Sequence, residues 1–121
     1  MLAAVFASGL LLHVADGFDA DGSFARLNAA KAAYGRCIFE RANEMYHGSD
    51  NPGLERAVMD ACRSELSTYE DVAVGGAAGR SAFESTMPAV VHMFVQAVAG
   101  CKKDEAHLSA SDRSLCATGG Y

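Results

Sequence analysis

The stretch Met87–Cys101, MPAVVHMFVQAVAGC, decides how this chain folds. Only His92 and Gln96 in it are strongly polar, and no Asp, Glu, Lys or Arg interrupts it. Its valines favour sheet in isolation, but no partner strand is evident elsewhere, so the stretch reads as a helix. So apolar a helix must be covered by other elements or be left as a sticky patch. His92 and Gln96 lie four apart and therefore share one narrow stripe. If this helix lines a pocket or an interface, that stripe is where a ligand or partner is met. The plainer expectation is a buried or rim histidine hydrogen-bonded to a neighbour such as Gln96.

Upstream, a helix from about Ser23 to Tyr46 places Leu27, Ala30, Tyr34, Cys37, Ile38 and Met45 at the three-four spacing of one buried face. Asp21 or Ser23 is its expected N-cap. The segment His47-Gly48-Ser49-Asp50-Asn51-Pro52-Gly53 then stops one helix and starts another. Gly48 serves as the stop, Asn51 as the next cap and Pro52 as the first helical residue. The second helix runs to about Tyr69 or Val72 with Val58, Met59, Cys62, Leu66 and Tyr69 as its apolar seam. Glu55, Arg56, Asp60, Arg63 and Glu70 are expected to stay wet.

Residues 73–82, AVGGAAGRSA, read as a glycine-rich loop. They lack the length and the lysine of a phosphate-binding loop. Ser85 or Thr86 then caps the apolar helix, with Pro88 in its first turn. Beyond Cys101, Lys102 and Lys103 suit a helix C-terminus. Ser109 with Asp112, or Ser111 alone, starts a short tail helix that brings Leu115 and Cys116 back, and Gly119-Gly120-Tyr121 reads as loose. The expected fold class is all-α: a small disulfide-linked bundle of an antiparallel hairpin, a hydrophobic third helix and a C-terminal tail helix.

Four cysteines, Cys37, Cys62, Cys101 and Cys116, occur with no CxxC pair among them. Zinc sites want closely spaced ligand pairs, which Cys101, His107 and Cys116 do not supply. Two disulfides in an exported chain are the expectation. Cys37 and Cys62 are symmetric about the turn near position 49 or 50 and lie on facing seams, so Cys37–Cys62 with Cys101–Cys116 is preferred. Cys62–Cys101 with Cys37–Cys116 stays open as an alternative.

The pattern Tyr34-x-x-Cys37 followed by Cys62-x-x-Glu65 resembles one found in small uncharacterised exported proteins of alphaproteobacteria. The resemblance covers about a quarter of the chain. It implies an exported compartment and the helix hairpin, and no activity.

Residues 1–15, MLAAVFASGLLLHVA, form an uncharged apolar run too short for a standard membrane span. It fits the core of a signal peptide, although no Lys or Arg precedes it; otherwise it is an uncleaved anchor. Residues 16–22 read as a solvated linker, since Asp19-Ala20-Asp21-Gly22 has only part of a calcium-loop ligand set. Residues 23–121 form the single helical domain.

The 121 residues, half of them hydrophobic, suffice for one domain with a modest core. The net charge is −5, and its cations are scattered, which argues against nucleic-acid binding. His47 and His107 sit in a turn and a charged segment and read as solvated. No catalytic constellation, cofactor or metal set is found, so the expectation is a non-catalytic exported protein acting on a protein partner. The alternatives are a small-ligand or lipid carrier with a cavity lined by residues 87–101, and a membrane-anchored interaction protein.

Overall fold

The computed structural model describes residues 22–48, 52–74 and 76–121. Among them the chain is all-α: α1 (Ser23–Met45), α2 (Pro52–Ala61), α3 (Arg63–Ala73), α4 (Ala77–Lys103), a 3-10 turn (Glu105–His107) and α5 (Ala110–Thr118). The expected signal run, most of the linker, Asp21 and the Asn51 cap lie outside the described residues.

Each of the other four α-helices packs against α1, which makes α1 the hub. Of the face predicted by the three-four spacing, Ala30, Tyr34, Cys37 and Ile38 are buried and Leu27 and Met45 half-buried, and Ala42 joins them in the core. Gly35 and Phe39 are buried too, so α1 is covered over a wider arc than its apolar seam. Gly22 stands at the N-cap position with no side-chain cap, in place of the expected Ser23.

The second predicted helix is two. Cys62 leaves helical geometry at φ −105 and ψ 20, and separates α2 from α3. Its backbone stays in the ladder, accepting Leu66 N–H at 3.0 Å and donating to Val58 at 3.1 Å. The hairpin itself is as expected. Cys37 and Cys62 are bonded, with Cα atoms 5.9 Å apart, and Tyr34 meets Tyr69 one turn or two further along. The second bridge joins Cys101 to Cys116.

The apolar helix starts nine or ten residues earlier than predicted. Ala77 opens α4, so most of the glycine-rich segment is helical and Ser85, Thr86 and Pro88 lie inside the helix. Two contacts with α3 offset the cost of Gly79 there. Phe83 packs edge-on against Tyr69 at 5.0 Å, and Arg80 reaches Glu70 and Asp71 at 3.3 and 3.6 Å. The Ser85 and Thr86 hydroxyls bond back to the Ala82 carbonyl at 3.1 and 2.8 Å and cap nothing. Pro88 is tolerated because it and Glu84, whose carbonyl loses its amide partner, are both exposed to water.

Met87, Val91, Val95 and Val98 point from α4 into the core, where they join Ile38, Leu54, Val58 and Cys62. Two aromatic groups flank this centre. Tyr34, Tyr69 and Phe83 tie α1, α3 and α4 together at one side, and Phe39, Phe94 and Tyr121 tie α1, α4 and the tail at the other. Ser109 caps α5 by accepting the Asp112 N–H at 3.1 Å, as predicted. Leu115, expected to return to the body, is 55% exposed, whereas Tyr121, expected to be loose, is half-buried between Phe39 and Phe94.

Candidate functional site

The side of α4 turned away from the core carries the two polar residues singled out in the sequence. Ser85, Pro88, Ala89, His92, Met93, Gln96, Ala97 and Gly100 follow the three-four spacing and are all exposed. From Ser85 to Gly100 this face has no Asp, Glu, Lys or Arg, and Met93 at its middle is 64% exposed.

His92 sits at the rim, half-exposed, and the neighbour it meets is Glu55. Its Nδ1 meets Oε2 of Glu55 at 2.6 Å, the imidazole side chain being 49% exposed and the carboxylate 19%. Glu55 comes from the first turn of α2, and the fold brings it across to α4. Spacing could not reveal this pairing, because the two residues are 37 positions apart. Ser85 donates within its own helix. The structure thus joins His92 to Glu55, leaves Gln96 on the same face, and gathers no nucleophile beside them.

A second polar cluster spans the α3–α4 turn. Glu70 was expected to be wet, yet it is 9% exposed, caught between the Arg80 guanidinium and the Glu84 carboxyl. Burial first, then the hydrogen bond and charge of Glu84, raise its pKa from the ordinary value of 4.5.

This shift has a definite sign. In the unfolded chain Glu70 loses its proton near 4.5, and in the folded chain at a higher pH. Between those values the folded state holds the extra proton, so stability falls as pH rises through the window and levels off above it. Glu70→Gln should remove that slope and melt higher than the parent at neutral pH. Thermal melts of the two proteins from pH 4 to pH 8 check this; parallel pH profiles would rule out Glu70 as the source.

Tyr34 also carries a buried polar atom. Its hydroxyl has no hydrogen-bond partner among the described residues, and burial pushes its pKa up to about 12, so it stays neutral.

An open hollow of about 600 Å³ lies away from the α4 face, between α1 and the tail. Glu40, Glu44, Lys102, Glu105 and Arg113 give it walls of mixed charge, and Cys101 and Cys116 lie in it. No metal-binding group of three or more His, Cys, Asp or Glu occurs among the described residues, and no helix there is long and apolar enough to cross a membrane. All four cysteines are paired, which points to an oxidising, exported compartment. Comparison with family models, curated proteins and solved structures finds no match to this chain.

Proposed function

We propose that the protein acts by binding and not by catalysis, as an exported helical module of the periplasm or the secreted fraction. On this reading the outer face of α4 docks a protein partner. The observation that carries it is the uncharged run of exposed residues from Ser85 to Gly100, centred on Met93. A helix face that only met water would gain solubility from charges there, as α1 does at Glu40 and Glu44. Pro88, Ala89, Ala97 and Gly100 are small or flat, so a partner can approach the backbone closely, and Met93 adapts its shape to what it meets. His92, oriented by Glu55, and Gln96 supply directional hydrogen bonds at the edge. The carrier reading has no comparable support, because Val91, Val95 and Val98 on the inner side are packed into the core.

A photocrosslinking residue placed at Met93, and separately at exposed Thr68 on α3, tests the assignment in cells that make the protein. The expected result is one discrete adduct from position 93, absent from position 68 and lost when Ala97→Glu is added. No adduct at 93, or the same adducts from both positions, would sink it.

A further inference from the structure

The segment after α4 is attached differently from the rest of the fold. Neither the 3-10 turn nor α5 has a buried residue. What holds the segment is a short set of contacts. Asn43 Nδ2 donates to the Cys116 carbonyl at 3.1 Å, and Arg36 donates to the Tyr121 carbonyl. The Tyr121 ring lies 6.4 Å from both Phe39 and Phe94. The tail helix also packs on α1 and α4, and the Cys101–Cys116 bond ties it covalently to α4.

Tyr121 occupies a seat made for it. At Gly35 any Cβ would overlap the Tyr121 ring, and at Gly119 any Cβ would overlap Phe39. Gly119 also adopts a left-handed φ of 67, which turns the chain back from α5 towards α1. The seat is thus filled in cis by the chain's own tail.

The two bridges differ in burial. Cys62 is fully buried and Cys37, although it borders a smaller hollow beside Arg36 and Arg41, is only 8% exposed, whereas both Cys101 and Cys116 are half-buried and line the open hollow with Lys102 and Arg113. Thiol–disulfide exchange needs a thiolate to reach a sulfur, so access discriminates between them.

We propose that Cys101–Cys116 is a redox latch that keeps the tail closed over its aromatic seat. A dithiol reductant opens it by attack of one thiolate on a bridge sulfur. The S–S bond breaks, and the displaced cysteine sulfur leaves as a thiolate and takes up a proton. The reductant's second thiol resolves the mixed disulfide, so two electrons pass to the protein and the reductant becomes a disulfide. Lys102 and Arg113 on the wall of the hollow offset the negative helix C-terminal ends that disfavour a thiolate there. Once the bridge opens, a segment with no buried residue has too few contacts to hold its backbone in place. Residues 105–121 then leave, and Gly35, Phe39 and Phe94 are uncovered.

The test uses the full chain in graded dithiothreitol under native conditions, followed by alkylation, peptide mapping and amide hydrogen exchange. Cys101 and Cys116 should be alkylated at least tenfold faster than Cys37 and Cys62. Exchange over 110–121 should rise at least tenfold while α1 to α4 stay protected. The Cys101→Ser/Cys116→Ser variant should show the open tail without reductant. Gly35→Ala, which leaves the bridge intact, should expose only residues 119–121. Simultaneous opening of both bridges, or a tail still protected after selective reduction or in the double variant, would overturn the latch. Unchanged protection in Gly35→Ala would overturn the seat.

Discussion

Replacing Cys37 and Cys62 together by alanine should lower the unfolding free energy by about 3–5 kcal/mol, the largest loss expected from any local change in this chain. The bond closes a loop with a sequence separation of 25. Loop-closure entropy for that length contributes about 3.5 kcal/mol, by restricting the unfolded chain. A packing loss adds to it, since Cys62 is fully buried and Cys37 nearly so. A single domain of this size has only about 5–15 kcal/mol in total. The variant should therefore unfold at a much lower urea concentration, and its transition should no longer respond to reductant at this bridge. Urea melts followed by circular dichroism check both points; a midpoint close to the parent's would mean that the hairpin is held by its seams alone.

Ile38→Ala comes second, with an expected cost of about 3 kcal/mol. Ile38 is fully buried on the hub helix, in one cluster with Val58 of α2 and with Val91 and Val95 of α4. Truncation leaves a hole bordered by three helices that are cross-linked or otherwise fixed, so the site can collapse only a little. Met93→Ala is the matched control. Met93 is 64% exposed, and its loss should change stability by no more than about 0.5 kcal/mol. Equilibrium unfolding of the two variants side by side would show it. Equal losses would mean that the inward and outward faces of α4 are wrongly assigned.

Much of the architecture was legible because it rests on local signals. The three-four seam on residues 27–45 needs nothing but helix geometry, and Pro52 as a first helical residue and the Ser109–Asp112 cap work through neighbouring backbone groups. The Cys37–Cys62 pairing was readable for a related reason. A hairpin maps sequence symmetry onto spatial contact, so the turn position alone brings the two cysteines face to face.

The candidate site was less legible. Met87–Cys101 is apolar almost all round, so its pattern does not say which side faces inward. The third dimension decides it by shape: branched and bulky Val91, Phe94, Val95 and Val98 fill the space beside α1, and the small residues with His92, Met93 and Gln96 are left outside. The same holds where a contact joins distant positions. Glu55 reaches His92, Glu70 is buried because Arg80 and Glu84 arrive from α4, and Phe39 is covered because Tyr121 returns to it. Cys62 could be placed on a seam, yet the break in the helix at that residue appears only in the folded chain. By itself the sequence determined the all-α class, the helix hairpin and the preference for its Cys37–Cys62 staple, since local backbone chemistry and turn symmetry suffice for those. Only the tertiary structure decided which faces remain in water, because burial belongs to pairs of surfaces and not to single residues.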